Sequence, residues 1–599
     1  MAENKIPARS EVPVEFTWNL QDIFETDDAC IKEMEALKAY PEKITAFTGR
    51  LSESAETLLA YFQLDDEVGL KLSRVYNYLS MKSDEDTANA YYLDLKGKAT
   101  ALYVQLMAAA SFADSELIAI EDETLETWFK ACPSLETYRR PLTKIRLLKD
   151  HILSPAEEAL LASSAEMAEA SENIASMLRN ADMKWDDVTD SDGVSHPLTN
   201  GSFVLLQEGT DRAFREKVFQ AFYANYEGLK NTIAATLDGQ FKHLLFSMRS
   251  RKFSSTLEAS LASTEVPSSV YLSLIEAVHQ NLEKMYRYVR LRKKLLKVDE
   301  LHMYDVYTPI VEDAAMSIPF EEAKKTVLTA LSVLGDDYTA LLKEGFDHRW
   351  IDVYENKGKR GGAYSNGARP HPYVLLNYKD NLDSVFTLAH EMGHSLHSWH
   401  SEKHQPVATS DYVIFVAEVA STVNEVLLNH YLLEHAQDDK EKAYIINHFL
   451  EGFKGTVFRQ TMFAEFELFM GQMTEQGDAL TADALSQKYL ELNQLYFGPD
   501  MVSDPEIAYE WARIPHFFYN YYVFQYATGY CAAVAIANRI LKEGETAVKE
   551  YKAFLSSGSS QDPVSLLKIA GVDMSTPAPV NEALAYFETL IAEMEKLTA

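Results

Sequence analysis

Chain-breaking residues are scarce in this sequence, and that scarcity constrains the fold more than any other feature. The chain has 24 glycines and 19 prolines among 599 residues, about 7% together, whereas ordinary chains carry about 12%. Long stretches also place apolar residues three and four positions apart, which is the spacing of one face of an α-helix. We therefore predict a mainly α protein that is built from long helices.

Two segments interrupt the helical pattern. Residues 184–202 read KWDDVTDSDGVSHPLTNGS, and their Asp192-Gly193 pair lies between segments that tolerate β-structure, which predicts a hairpin. Residues 349–378 are rich in glycine and end in PYVLLNY, which predicts two or three short strands. The helical pattern resumes after each segment.

The length of the chain exceeds that of a typical single domain. The predicted hairpin is the best candidate for a boundary, so we expect a helical N-terminal domain at 1–200 and a second domain at 201–599. Residues 1–15 are expected to form a loose arm.

Charge and cysteine content narrow the possible partners and the cellular location. The formal net charge is −34, and nucleic acids and anionic membranes both bind proteins through clustered lysine and arginine, so neither is expected as a partner. Cys30, Cys132 and Cys531 are far apart, which predicts no disulfide framework. The N-terminus resembles no signal peptide, and no run of apolar residues is long enough to span a membrane. We expect a cytoplasmic protein.

Residues 390–400 read HEMGHSLHSWH. On a helix, His390 and His394 lie one turn apart on the same face, so both imidazoles can bind one metal ion. Glu391 lies beside them and can act on a water bound to that ion. This HExxH pattern is typical of zinc peptidases, in which the glutamate is the general base. It predicts one Zn²⁺ per chain.

A catalytic zinc needs a third protein ligand, and the sequence offers two candidates. His400 has the spacing of the third ligand in one known class of zinc peptidases, but His397 replaces the glycine that would turn the chain back to the metal, so His400 is not expected to be a ligand. For His397 we expect a packed or surface histidine, and the alternative is a role in supporting a ligand or capping the helix. Glu418 follows in the strongly apolar segment FVAEVAS, where a carboxylate without a partner would be costly, and we predict it as the ligand. Glu425, two helical turns further on, is either hydrogen-bonded to a ligand histidine or solvated.

These motifs resemble a known family. HEMGHSLHS followed by FVAEVASTVNE is similar to the oligoendopeptidase F branch of the thimet oligopeptidase family. The segments VPVEFTWNLQDIF, KRGGAYS and IPHFFYNYYVFQYATGY are similar to that branch as well, so the resemblance covers nearly the whole chain. It implies a two-lobed, mainly α metallopeptidase with a small β-sheet beside the HExxH helix and a deep substrate channel. Such enzymes cut short peptides internally and exclude folded proteins.

The resemblance also bears on residues 511–530, WARIPHFFYNYYVFQYATGY. In the resembled family a histidine and tyrosines of this segment donate hydrogen bonds to the oxyanion, and His516 matches the histidine. On a helix, His516, Tyr519, Tyr526 and Tyr530 would fall roughly on one face. Among the tyrosines we favour Tyr526, then Tyr519 and Tyr530, with simple core packing as the alternative for each.

The sequence therefore predicts a zinc oligoendopeptidase that hydrolyses internal bonds of short peptides, with an edge strand at 372–378 aligning the peptide. The alternative is a zinc exopeptidase with the same ligands, but no clear acidic anchor for a peptide amine is present. Arg513 could meet a peptide carboxylate, although an ion pair is expected instead. A binding protein with a structural zinc is disfavoured, because such sites are closed by four protein ligands.

Overall fold

The computed structural model describes residues 6–154, 157–158, 160–161, 164–311 and 317–599. Helices dominate this part of the chain, so the prediction of a mainly α protein is confirmed. The α-helices are α1 Asp27–Leu37, α2 Tyr40–Thr45, α3 Ala55–Glu85, α4 Ala90–Ala110, α5 Ala113–Ala119, α6 Asp122–Ala131, α7 Arg139–Leu147, α8 Ala165–Ala168, α9 Ala170–Met177, α10 Phe203–Gln207, α11 Arg212–Ser250, α12 Thr256–Leu261, α13 Ser268–Gln280, α14 Leu282–Leu296, α15 Phe320–Ala330, α16 Asp336–Asp347, α17 Leu382–His404, α18 Ile414–His435, α19 Asp439–Gly452, α20 Arg459–Gln476, α21 Ala482–Phe497, α22 Phe524–Glu543, α23 Glu545–Leu555, α24 Pro563–Ile569 and α25 Ala578–Leu597.

The strands of the described residues are only two or three residues long. They are β1 Val188–Thr189, β2 Ser195–His196, β3 Leu301–His302, β4 Ile351–Asp352, β5 Tyr364–Asn366, β6 Tyr373–Leu375 and β7 Met501–Val502. β3 and β7 form a parallel pair, and β4, β6 and β5 form a three-stranded sheet in that order. Within this sheet β4–β6 is parallel and β5–β6 is antiparallel. The predicted small sheet therefore exists.

β1 and β2 confirm the predicted hairpin. They pair antiparallel, with Val188 opposite His196. The turn between them contains Gly193 with φ at 84°, a left-handed conformation that glycine adopts without steric cost. The Asp-Gly signal therefore identified the right turn.

The chain divides into two compact units. The first consists of Met1–Ile152, Ala315–Tyr431 and Ile536–Gly571, and the second consists of Leu153–Ala314, Leu432–Ala535 and Val572–Ala599. The units are thus interleaved along the chain. The predicted boundary near residue 200 separates two domains along the sequence, whereas these units are defined by compactness. That boundary therefore stays a prediction.

The first unit holds the three-stranded sheet and the helix with the HExxH motif. Its core contains α1 and α3 side chains such as Leu37 and Leu79, together with Tyr373 and Leu375 of β6, all of them buried. Because one core includes both the N-terminal helices and the central strand, the sheet is anchored by residues that are some 300 positions away in sequence.

The N-terminal arm is ordered where it is described, which contradicts the expected loose arm for residues 6–15. Arg9 forms an ion pair with the buried Asp352 of β4 at 2.5 Å. The backbone N–H of Val353 donates to the carbonyl of Phe16 at 2.9 Å. The arm is polar, which suggested a loose segment. Its polar groups instead contact β4 and the residue that follows it.

The second unit is organised around α11, whose buried face carries Phe222, Tyr226 and Leu237. Packed in the same unit are α20 and α21 and a 3-10 helix at Pro505–Arg513. Among the described residues, no helix of either unit is long and apolar enough to cross a membrane.

Candidate metal centre and aromatic segment

α17 carries the HExxH motif. Its N-terminus is capped by Asn381, whose side-chain oxygen accepts a hydrogen bond from the backbone N–H of Ser384 at 2.9 Å. The helix continues to His404 without turning back after His394. His390 and His394 therefore project from successive turns of one face.

Three side chains converge at this face. The Nε2 atoms of His390 and His394 are 3.2 Å apart. Oε2 of Glu418, from α18, lies 3.4 Å from each of them. These are the residues of the described chain that can hold one metal ion together. The predicted third ligand thus lies with the two histidines.

The dimensions of this triangle fit a tetrahedral ion. Nitrogen and carboxylate ligands lie 2.0–2.2 Å from zinc, so two ligands at tetrahedral angles are separated by about 3.3–3.6 Å. The observed separations of 3.2 and 3.4 Å are close to this range. Two imidazoles and one carboxylate also form a donor set that suits zinc.

Gly393, inside the motif, allows α18 to approach α17 closely. A Cβ atom at this position would lie 2.6 Å from Cα of Ser421 and 2.7 Å from the carbonyl oxygen of Ala420. Both of those atoms are backbone, so neither can move away cheaply. The side chain of Asn424 also donates to the carbonyl of Ala389 at 3.0 Å. These contacts fix the position of Glu418 relative to the histidines.

Glu425 contacts His390, one of the candidate ligands, rather than being solvated. Nδ1 of His390 donates a hydrogen bond to Oε1 of Glu425 at 3.0 Å. In the neutral imidazole this bond places the proton on Nδ1, so Nε2 is the nitrogen that can bind a metal. Glu391 is 7% exposed, and burial raises the pKa of its carboxyl group, which makes its carboxylate a better proton acceptor.

The other two histidines of the motif segment are packed. The ring of His397 stacks on Tyr412 with centroids 3.8 Å apart, and burial lowers the pKa of His397 to about 3. His400 is 9% exposed. Neither belongs to the group of potential ligands that contains His390.

A cavity of about 520 Å³ opens beside the candidate ligands in the first unit. Its lining includes His390, Glu391 and Glu418, together with Ser365 of β5 and Tyr412. The cavity is therefore large enough for several residues of an extended peptide.

The strand beside this cavity is not the one that was predicted. β6, which lies in the predicted edge strand 372–378, is the central strand and is fully buried. β4 and β5 are the two edge strands. Of these, β5 lines the cavity, and its Ser365 is hydrogen-bonded to Ser395 of α17 at 2.8 Å. The apolar run PYVLLNY marked a strand buried on both sides, whereas the edge strand has the polar sequence YSN.

The aromatic segment in the second unit is not a single helix, so the predicted helical face was wrong. Two 3-10 helices, Pro505–Arg513 and Pro515–Phe518, precede an elbow, and α22 begins only at Phe524. At the elbow, Asn520 and Tyr521 both have positive φ, at 52° and 60°. Residues other than glycine rarely adopt this conformation, so other contacts must stabilise it.

Buried polar groups hold this elbow in place. Oε1 of Glu467 accepts a hydrogen bond from the backbone N–H of Tyr521 at 2.9 Å. The side chain of Gln240 donates to the carbonyl of Phe518 at 3.1 Å and to the side-chain oxygen of Asn520 at 3.0 Å. Thr256 is hydrogen-bonded to the Tyr521 hydroxyl at 2.8 Å. No sequence signal pointed to Glu467 or Gln240.

The elbow nevertheless brings His516 close to two of the predicted tyrosines. Its ring centroid lies 5.5 Å from that of Tyr519 and 6.1 Å from that of Tyr526, with Tyr522 at 6.3 Å. Burial lowers the pKa of His516, which favours the neutral imidazole.

Tyr530 lies elsewhere in the second unit. It is 7% exposed and packs on Phe453, with ring centroids 5.0 Å apart.

Arg513 forms the predicted ion pair, with Glu510 at 2.8 Å.

The fold and the donor set together define a class of protein, a helical metallopeptidase with an HExxH motif and a glutamate from a following helix. Comparison with known proteins gives the family. The model of peptidase family M3 matches residues 205–586, and that of oligopeptidase F matches residues 116–185. The chain belongs to peptidase family M3, and the predicted metalloendopeptidase class is confirmed.

Curated relatives align along almost the whole chain. Oligopeptidase PepF of Bacillus subtilis is 46% identical over 99% of this chain and 89% of its own length. Group B oligopeptidase PepB of Streptococcus agalactiae is 40% identical over 99% of this chain and 98% of its own. These relatives give no support to the alternative of an exopeptidase.

Solved structures of similar proteins agree with the assignment to this family. A putative peptidase from Chlamydophila abortus matches with a TM-score of 0.92 at 34% identity, covering 99% of this chain and 100% of its own. Oligoendopeptidase-F from Enterococcus faecium matches with a TM-score of 0.76 at 38% identity, covering 96% of this chain and 99% of its own.

Proposed function

We propose that this metallopeptidase is a zinc oligoendopeptidase, in which His390, His394 and Glu418 hold one Zn²⁺. The observation that carries the proposal is the triangle of their donor atoms, with sides of 3.2, 3.4 and 3.4 Å. Only three protein ligands converge among the described residues, and this leaves a position open for water, as catalytic zinc sites require.

Glu391 is the proposed general base. When bound, the metal would lower the pKa of a coordinated water and polarise the carbonyl of the scissile bond. The Glu391 carboxylate would accept a proton from the attacking water as the water oxygen bonds to the carbonyl carbon, and would donate that proton to the amide nitrogen as the C–N bond breaks. Burial of Glu391, which raises its pKa, supports both transfers. Glu425 keeps His390 in the tautomer that binds metal.

β5 is the proposed docking strand for the peptide backbone. It lies at the edge of its sheet, and Ser365 within it lines the cavity that contains His390 and Glu391. An extended peptide can add to such an edge through backbone hydrogen bonds. The bond between Ser365 and Ser395 holds the strand against the motif helix.

His516 and Tyr526 are the proposed donors to the carbonyl oxygen as it becomes negatively charged. Their closeness within one ring cluster supports this role, and Tyr519 is the second choice among the tyrosines. Tyr530 also stays a prediction, although its packing on Phe453 favours a structural role.

We further propose that the substrates are short peptides, cut at internal bonds. The names of the relatives, which are oligopeptidases and oligoendopeptidases, support this.

The proposed domain boundary near residue 200 is supported by the ranges of the two family models. The range of oligopeptidase F ends at residue 185, and that of peptidase family M3 begins at residue 205. The substrate channel stays a prediction. The free thiols of Cys30, Cys132 and Cys531 support a cytoplasmic location.

Digestion of three substrates tests the proposal. A short peptide blocked at both ends, the same peptide unblocked, and a folded protein would each be incubated with the enzyme, with and without a chelator. We expect internal cleavage of both peptides, its loss on chelation, its return with added Zn²⁺, and no cleavage of the folded protein. Cleavage of the unblocked peptide alone would contradict the endopeptidase proposal.

A further inference from the structure

The second unit contains a buried arginine that forms no ion pair within 4 Å among the described residues, and Glu172 is a carboxylate that acts on it only from a longer distance. Arg179 is 7% exposed, and its Nη1 atom is buried without any hydrogen-bond partner. Burial lowers the pKa of this guanidinium. A buried charge without an ion-pair partner is costly, so Arg179 does not stabilise this unit in the way that a paired arginine would.

The other buried arginines of the described chain are paired. Arg215 forms an ion pair with Asp305 at 2.8 Å, and Arg292 forms one with Glu451 at 2.6 Å. Each also donates to backbone carbonyls. Arg513, which the sequence offered as a binder of carboxylates, is occupied by Glu510. Arg179 therefore differs from the arginines that stabilise this unit.

The surroundings of Arg179 connect it to the aromatic segment. Its guanidinium carbon lies 5.3 Å from the ring centroid of Phe518, within the range of a cation–π contact. The next residue, Tyr519, is 45% exposed and lies beside His516. Gln240 fixes this stretch by its hydrogen bond to the Phe518 carbonyl. The aromatic ring orients the cation, but it does not neutralise it.

The backbone around Arg179 is also unusual. Leu178–Asp182 form a short π-helix, a local distortion that occurs frequently at functional sites. It directly follows α9. The unpaired charge and the distorted helix are two independent observations at the same residue.

We propose that Arg179 binds a carboxylate of the peptide substrate. A guanidinium presents two parallel N–H donors that match a carboxylate, and carboxylates are the anions that unmodified peptides carry, at the C-terminus or on aspartate and glutamate. The proposal rests on the proposed peptidase function, since it assigns a specificity residue for that reaction. The binding would neutralise the charge that the fold leaves unpaired.

Four versions of one quenched peptide distinguish the two sources of the carboxylate. The first pair differs in a free or an amidated C-terminus, and the second pair differs in an internal Glu or Gln. We expect the wild-type enzyme to prefer the free acid, or the Glu peptide, by roughly 10- to 100-fold in kcat/KM, the usual worth of a hydrogen-bonded charge. Arg179→Met should abolish that preference mainly through KM, and Arg179→Lys should retain part of it.

Arg249→Met is the matched control, because Arg249 is an exposed arginine of α11. It should leave all four kcat/KM values unchanged. Thermal unfolding supplies a second readout: Arg179→Met should unfold at the wild-type temperature or above, since it removes an unpaired buried charge. Equal kcat/KM within both pairs for the wild-type enzyme would overturn the proposal, and so would a variant that unfolds earlier and cleaves all four peptides equally poorly. Absence of any wild-type cleavage would instead contradict the proposed function.

Discussion

The metal-binding helices and the aromatic segment reach their geometry in different ways. In α17 and α18, regular helix repeats set the positions of His390 and His394, and one close backbone contact at Gly393 sets the position of Glu418. In the aromatic segment, the chain leaves helical geometry at Asn520 and Tyr521. Side chains from remote parts of the sequence must hold it there.

This difference has a consequence for function. The metal centre depends on few residues, all near the motif or on the next helix, so a substitution there should have a large and local effect. The aromatic segment depends on buried polar groups such as Glu467 and Gln240. Its geometry should therefore respond to distant substitutions and to pH.

The largest expected effect is that of Glu391→Gln in the metal centre. Gln preserves the size of the side chain but cannot accept the proton, so we expect kcat to fall by roughly 10²- to 10⁴-fold. Steady-state kinetics on a quenched peptide measures it, with zinc content as the control. If the variant kept wild-type kcat with zinc bound, Glu391 would not be the base.

Gly393→Ala tests whether the close helix contact sets the metal geometry. The added methyl group would lie 2.6 Å from Cα of Ser421, so α18 must move away and carry Glu418 with it. We expect weaker zinc binding and a loss of about 1–3 kcal/mol in stability. Gly228→Ala, at an exposed position of α11 where an added Cβ would meet nothing within 4 Å, is the matched control. Unchanged zinc affinity in Gly393→Ala would show that the contact is dispensable.

Two tyrosine variants sharpen the comparison within the aromatic segment. Tyr526→Phe removes the hydroxyl of a residue that lies beside His516, and we expect kcat to fall by roughly tenfold or more with little change in KM. Tyr530→Phe removes a hydroxyl from a side chain that packs on Phe453, and should leave kcat nearly unchanged. The reverse order of effects would assign the oxyanion role to Tyr530.

The smallest effect is a pH dependence of stability at the elbow. Burial raises the pKa of Glu467 from 4.5 to about 8, so the folded protein holds this proton more tightly than the unfolded chain does. The stabilisation is complete below pH 4.5 and is lost as the pH rises towards 8.

Glu467→Gln keeps an oxygen that can accept from the N–H of Tyr521 but cannot ionise. The unfolding temperature of this variant should therefore rise relative to that of the wild-type protein between pH 5 and 8. A difference that stays constant across this range would mean that Glu467 is already ionised at neutral pH.

The same contrast explains how much could be predicted from the sequence. The HExxH spacing has meaning only on a helix, and the scarcity of chain breakers together with the spacing of apolar residues predicted that helix correctly. Glu418 was identifiable because a carboxylate in an apolar segment needs a partner. In these cases the necessary information lies within a few turns of the residue.

Other features depend on contacts that no local pattern reveals. The elbow at Asn520 and Tyr521 is stabilised by Glu467 and Gln240, which lie more than 50 residues away. The strands β3 and β7 pair over only two residues each, about 200 positions apart. β5 lies within the region 349–378 where short strands were predicted, but its edge position beside the cavity was missed because it has no apolar run.

The most direct test of the account is the zinc content of purified wild-type protein, Glu391→Gln and Glu418→Gln, measured by elemental analysis after dialysis against metal-free buffer. The account predicts one zinc per chain in the wild-type protein and in Glu391→Gln, and a large loss of zinc in Glu418→Gln. Full zinc content in Glu418→Gln, or loss of zinc in Glu391→Gln, would contradict the assignment of ligand and base.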